Sequence, residues 1–465
     1  MKLKKTDVHP HPASFKDPSG FLFTADGVLY RQVNPSYAHH YDTLKNSGLY
    51  VFLTGKKWLI EHEEVSDALF QIPEAYKILR PERLPLVTYP YEWCFSQLQE
   101  AGLITIEIMR AAMDHGMILK DASAYNIQFR NGLPLLIDTL SFEIYDPLLP
   151  WKAYRQFCQH FLYPLLLEHY LGNGSIAWLR NYLDGMPASV AAPLLPFKSR
   201  WNVSVMLHLF LQQKVSGNSK GNEQPVKFSR KKMHLLLDDL QRLIQSLRPG
   251  YPARSEWSDY YQNTILSDQY LQAKERLIAE WLSPHKNCRV IDAGANDGHF
   301  SILAESMGQE VIAIENDPLC IEHLHKRIVG ESIKGVHTVI ADFSNPSPSL
   351  GFAHRERSSL TDRCSGDILM ALALVHHLVI GRSIPMPRLA AYFSLLAPCL
   401  ILEFIPKEDE KVKTMLQSRE DIFTDYDPEH LESYFETYYS IRKKTTVGDT
   451  KRILYWMERK PETVI

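Results

Sequence analysis

Cysteine is sparse and scattered. The six cysteines (Cys94, Cys158, Cys288, Cys320, Cys364 and Cys399) form no CxxC pair. That argues against a zinc knuckle or a disulfide framework and fits a reducing cytoplasm, so no metal site is expected. Long apolar runs are also missing. The longest unbroken one, ILMALALV at 368–375, is far short of the ~20 residues that cross a bilayer. The opening MKLKKTDVHPHPASFKD has basic residues but no apolar stretch behind them, so it does not read as a secretory signal. Neither sign of charge dominates: 51 basic and 54 acidic residues leave a formal charge of -3. The basic face of a general nucleic-acid binder is therefore absent. Neither internal repeats nor low-complexity tracts occur. These absences leave the expectation of a cytoplasmic protein with no membrane span, in which a nucleic-acid partner is not expected but a local basic patch is not excluded.

What is present is the balance of a globular protein, 45% hydrophobic and 23% charged, in a chain long enough for two or three domains. The polar stretch KVSGNSKGNEQPVKFSRKK, 214–232, lacks an apolar face and reads as a linker. After it, Leu235, Leu236, Leu240, Leu243 and Ile244 recur at helical spacing before Pro249, and a second helix is expected in YLQAKERLIAEWLSP. The expected organisation is an α+β domain over 1–213, a linker and helix over 214–255, and an α/β domain over 256–465. In the last, short apolar strands alternate with helical segments, as in a parallel sheet covered on both faces.

The stretch VIDAGANDGHFSILAESMGQEVIAIEND, 290–317, reads strand, glycine turn, helix, strand. A dinucleotide fingerprint needs G-x-G-x-x-G so that the backbone can approach a pyrophosphate. From Gly294, position 296 is Asn and position 299 is His, so two of the three glycines fail. Present instead are Asp292, Gly294, Asn296, Asp297 and Gly298. Acids crowded at the turn would repel a pyrophosphate and suit a ligand that carries an ammonium and a sulfonium. S-adenosylmethionine is such a ligand. Glu315, ending the second strand, can accept from both ribose hydroxyls. Asp342, ending GVHTVIAD, can accept from the adenine amine, with Phe343 beside it to cover the ring. Each acid alone reads more readily as a cap or turn former; the three in register after the glycine spacing favour the cofactor.

These residues resemble the class I S-adenosylmethionine-dependent methyltransferases over about residues 256–460. The resemblance implies a Rossmann-like α/β sheet of seven strands. DILMALALV and CLILEFIP supply strands four and five, and YYSIRKKTTV and RILYWMER a terminal antiparallel hairpin. Methyl transfer is an in-line displacement that needs alignment of the acceptor, plus a base where the acceptor must lose a proton. Strand four leads into LVHHL, so His376 or His377 is the expected base, with Glu403 of strand five orienting it or the acceptor. The bland reading is that these histidines start a helix and bond to local backbone. In the loop 344–367, Asn345-Pro346-Ser347-Pro348 follows the wrong strand and lacks the aromatic for an N-P-P-Y motif. Arg355, Arg357 and Arg363 there read either as a grip on an anionic acceptor or as solvated charge.

In the amino-terminal half, Asp121, Asn126 and Asp138 are spaced as in the catalytic and metal-binding loops of a protein kinase. Residues 75–143 thus resemble a kinase-like core and offer a second ligand site. No glycine-rich phosphate loop precedes it, and Lys56 or Lys57 is the nearest phosphate-pairing lysine. Otherwise Asp121 and Asp138 cap turns, with Asn126 bonded to backbone. PYEWCFSQL, LKDASAYNIQF, LIDTLSFE, YRQFCQHFL and ALVHHL together resemble the rhizobial nodulation-associated methyltransferases of the NoeA type, over most of residues 15–460. That resemblance implies a methyltransferase without fixing its acceptor. A small molecule, glycan or lipid intermediate is expected; a protein or tRNA acceptor, or a non-catalytic S-adenosylmethionine-binding regulator, are the alternatives.

Overall fold

The computed structural model describes residues 8–66, 70, 75–172, 174–212, 228–252, 268–417 and 419–461. The chain divides into two compact units, one of residues up to Pro252 together with Ser349–Arg357, the other of Ala253–Pro348 with Ser358–Ile465. The stretch read as a linker lies outside the described residues from 214 to 227.

The first unit begins with an antiparallel sheet of β1 (His9–Pro10), β2 (Gly20–Ala25), β3 (Val28–Val33), β4 (His62–Val65) and β5 (Lys77–Pro81), in the order β1-β2-β3-β5-β4. Asp26 and Gly27 both have positive φ (50° and 75°), as a tight hairpin between β2 and β3 requires. The helix Phe95–Asp114 buries Leu98, Ala101, Ile108 and Ala112 and sits in the core with β6 (Met117–Leu119), β7 (Ile127–Arg130), β8 (Leu133–Leu136) and β9 (Phe142–Ile144), which pair β6 with β9 and β7 with β8. The helix Arg230–Ser246 buries Met233, Leu237, Leu240, Leu243 and Ile244. Leu235, expected in that stripe, is 57% exposed, because two residues along a helix is more than half a turn and Met233 takes the inward place.

The second unit is built on β10 (Arg289–Ala293), β11 (Glu310–Glu315), β12 (Val336–Ile340), β13 (Ile368–Ala371), β14 (Cys399–Phe404), β15 (Tyr439–Thr446) and β16 (Ile453–Arg459). Their order is β12-β11-β10-β13-β14-β16-β15, and only β16 runs against the rest. This is the expected seven-stranded sheet with a terminal antiparallel hairpin, the order of the class I methyltransferase fold. The central strands are buried on both faces, which explains their unbroken apolar sequences. The strand order reverses at β10, between β11 and β13, and ligands of open α/β sheets bind outside the carboxyl ends at such a point. No helix among the described residues is long and apolar enough to cross a membrane.

Candidate functional site

β10 delivers Asp292 to the carboxyl edge and ends one residue later. The chain then turns through Gly294 (φ 77°), Asn296 (φ 54°) and Gly298 (φ 81°). The N–H groups of Gly294 and Ala295 both donate to the Ile314 carbonyl, at 2.9 and 3.1 Å, which fastens the turn to β11. A Cβ at position 298 would lie 2.3 Å from Leu324 Cδ1, so the residue must be glycine for space as well as for φ. A Cβ at 294 would lie 3.2 Å from Leu374 Cδ1, which places the segment after β13 directly beside the turn.

The acids around this turn are desolvated. Asp292 is 2% exposed and accepts from Ser301 Oγ at 2.6 Å. Burial pushes its carboxyl up to about 6, with Ser301 and Lys274 pulling back and Glu315 adding to the rise. Glu315 accepts from the backbone N–H groups of Asn296 (2.9 Å), Asn316 (2.7 Å) and Asp317 (3.0 Å), yet burial still raises it. Asp297 is raised by burial as well, and its Oδ1 is buried with no hydrogen-bond partner among the described residues. The fold thus brings Asp292, Asn296, Asp297 and Glu315 together. Asp342 follows β12 and closes its own turn, accepting from the Ser344 N–H and hydroxyl at 2.7 and 2.6 Å, with Arg382 at 3.3 Å. Phe343, 8% exposed, meets Tyr392 edge-on at 6.4 Å.

His376 and His377 open a helical segment after β13, and their rings lie 3.9 Å apart. The bland reading fails for one of them. His376 is 1% exposed and neither ring nitrogen has a partner among the described residues. Burial, then the charges of His377, Arg452, Lys411 and Lys274, hold it well below the usual imidazole range. Burial and Lys411 push His377 down to about 4. Both rings are therefore neutral at physiological pH.

The expected role of Glu403 is corrected. Its carboxylate, fully buried, takes the Tyr270 hydroxyl on one oxygen and Lys274 Nζ (2.6 Å) on the other. Arg452 donates to the same Tyr270 hydroxyl and forms a two-point pair with Asp409 at 2.8 and 3.1 Å. Burial raises Glu403, but Lys274 and Arg452 outweigh it and leave the carboxyl lowered. Glu403 thus closes an ion pair that joins the helix Asp268–Leu282 to β14 rather than orienting a histidine. Tyr270, Lys274 and Arg452 carry no local sequence signal for this cluster.

Of the three loop arginines, one is placed away from the carboxyl edge. Arg357 belongs to the first unit, where its guanidinium lies 4.3 Å from the Tyr125 ring, and neighbouring Glu356 pairs with Lys16 at 2.8 Å. Also in that unit, Asp138 accepts from Arg31 (2.7 Å), the Ser141 hydroxyl (2.6 Å) and the Leu140 N–H (3.2 Å). Asn126 donates to Ser141 Oγ at 3.2 Å, and Asp121 caps Ser123 at 3.0 Å. Burial, then Asp138, raises Asp121. These three residues are brought together, with Arg31 on β3 as a member the sequence reading missed. Lys56 and Lys57 are exposed beyond the helix Leu49–Gly55.

No family model matches the chain. Nodulation protein NoeA of Rhizobium meliloti (strain 1021) is 31% identical over 456 residues, covering 96% of this chain and 95% of that protein. Among solved structures, the PH0226 protein of Pyrococcus horikoshii OT3 is 17% identical over 43% of this chain and 99% of its own, with a TM-score of 0.31. Magnesium protoporphyrin IX methyltransferase from Synechocystis PCC 6803 is 16% identical over 44% and 93%, at 0.31. The bifunctional kinase-methyltransferase WbdD is 15% identical over 46% and 43%, at 0.30, so the chain spans less than half of that protein. The fold rests on the strand order above rather than on scores of this size.

Proposed function

The chain belongs to the family of nodulation protein NoeA, and from that premise we propose that it is an S-adenosylmethionine-dependent methyltransferase acting on a small-molecule, glycan or lipid acceptor. One observation carries the reading. At the switch point of a sheet with methyltransferase strand order, Asp292, Asp297 and Glu315 are all raised by burial, and one Asp297 oxygen has no partner among the described residues. Desolvated acids in that state gain from a cation. The residues fit the cofactor: Asp292 and Asp297 for its ammonium and sulfonium end, Glu315 for the ribose hydroxyls, Asp342 and Phe343 for the adenine. When bound, the cofactor supplies an electrophilic methyl group.

His376 is the proposed base. As a neutral buried imidazole with both nitrogens free among the described residues, it can accept a proton on one and donate from the other. That supports a hydroxyl acceptor, which must lose its proton, over an amine, which often need not. His377, its ring 3.9 Å away and tilted by 41°, packs against it. We read Arg31, in the strand Val28–Val33, as the counterpart of the phosphate-pairing lysine that a kinase carries on its third strand. Its ion pair with Asp138 argues against metal binding there.

The test is calorimetric titration with S-adenosylmethionine of the wild type and of an Asp292→Ala/Glu315→Ala double variant. Binding by the first and none by a still-folded second is expected. Equal binding by both would overturn the site; no binding by folded wild type would overturn the cofactor.

A further inference from the structure

The first unit carries an apolar surface between residues 194 and 211 that plays no part in either site above. The chain passes from the helix Ala188–Leu194 through a 3-10 turn, Phe197–Trp201, into a helical run of Val203–Val205 and Met206–Leu211. Its inner side is ordinary core, with Val205 and Leu209 fully buried. Its outer side is not polar. Phe197 is 70% exposed, Trp201 and Val203 are each 81% exposed, and Leu207 and Leu211 extend Val203 at four-residue steps, so one helical stripe of apolar side chains faces outward. Single exposed apolar residues need no explanation, whereas a contiguous set marks an interaction surface. Lys198 and Arg200 are interleaved with the aromatics and exposed, with the Arg200 guanidinium 5.5 Å from the Phe197 ring and 5.0 Å from the Phe210 ring. From Gly185 to Gln212 the chain has no Asp or Glu.

We propose that this surface docks on an anionic phospholipid membrane, with Phe197 and Trp201 entering the boundary between headgroups and acyl chains and Lys198 and Arg200 meeting the lipid phosphates. Aromatic rings with interleaved cations, in a stretch that has no acid of its own and whose neighbouring Asp239 is engaged by Ser204 and His208 at 2.9 Å, are the chemistry of a protein that lies on a bilayer without crossing it. A second copy of the chain fits less well, since it would bring the same cations face to face with no carboxylate in this stretch to receive them. The inference stands apart from the methyl-transfer reading, because it uses no residue of the second unit.

Sedimentation of the full chain with vesicles tests it, comparing phosphatidylcholine alone with phosphatidylcholine containing phosphatidylglycerol. Binding to the phosphatidylglycerol vesicles that weakens with salt is expected, with little binding to phosphatidylcholine. Phe197→Ser and Trp201→Ser should each weaken partitioning by about ten-fold, the scale of one apolar side chain returned to water. Lys198→Glu with Arg200→Glu should weaken it by about ten-fold or more on the anionic vesicles alone. All four positions are on the surface, so unchanged melting temperatures will show that the variants fold. Absence of sedimentation with phosphatidylglycerol, or equal sedimentation of the serine variants, would overturn the proposal. So would light scattering that finds a wild-type dimer and monomeric serine variants, because the surface would then be a contact between copies.

Discussion

Asp138 in the first unit and Asp292 in the second each sit at the end of a short apolar strand, and their surroundings are opposite. Asp138 has a guanidinium at 2.7 Å, a hydroxyl and a backbone N–H. Asp292 accepts one hydroxyl, feels the charge of Lys274 with no ion pair to it among the described residues, and stands close enough to Glu315, itself raised by burial, for that acid to add to its own rise. A carboxylate whose own chain supplies the cation is held by structure; one desolvated among other acids is poised for a cation from outside. The same contrast separates Glu403, closed by Lys274 and Tyr270, from His376, which has no partner among the described residues.

The sharpest way to break this contrast is His376→Ala. Methyl transfer to the acceptor, once found, should slow by about 100-fold or more, the usual contribution of a positioned base, while calorimetry finds cofactor affinity little changed. An unchanged rate would leave the carboxyl edge a binding site without this base. Glu403→Gln should act on stability instead. It leaves Lys274 buried without its counter-charge, which costs about 3 kcal/mol in urea unfolding, and the folded fraction should keep its rate within about ten-fold of wild type.

Arg31→Met asks whether the first site is closed by its ion pair alone. It should cost about 1–2 kcal/mol of stability, since the pair is not fully buried. Titration of the variant with ATP and magnesium should show no binding; binding that appears only in the variant would mean that Asp138 keeps its ligand capacity.

The smallest effect is the most specific. Asp292 has its folded pKa raised to about 6 by burial, above the roughly 3.9 of an unfolded chain. Its stabilising contribution is therefore present below the unfolded value and lost as pH rises through the folded one. Asp292→Asn should stabilise the cofactor-free protein by about 1–2 kcal/mol near pH 8 and by almost nothing near pH 3.5. In the wild type, cofactor affinity should rise between about pH 5 and 7 as Asp292 ionises. The transfer step should show no inflection near the usual histidine value, because the imidazoles are held neutral.

What could be read from the linear sequence was local. Asp292, Gly294 and Gly298 lie within one turn, and the strands on either side announce themselves as unbroken apolar runs, because a strand covered on both faces has no polar side to alternate with. The hairpin at 439–459 was readable for the same reason, its two strands being joined by one short turn. The helix Arg230–Ser246 was placed correctly, but its inward stripe was misread, since three adjacent leucines do not say which of them faces the core.

The sequence by itself determined the fold of the second unit and the set of acids at its glycine turn, because periodicity and turn chemistry act over a few residues. Only the tertiary structure decided which charged groups are already satisfied. Lys274 and Arg452 reach Glu403 from distant parts of the chain, and Arg31 reaches Asp138 from another strand. Coulomb energy and desolvation depend on distance through space and on exclusion of water, and neither quantity exists until the chain has folded.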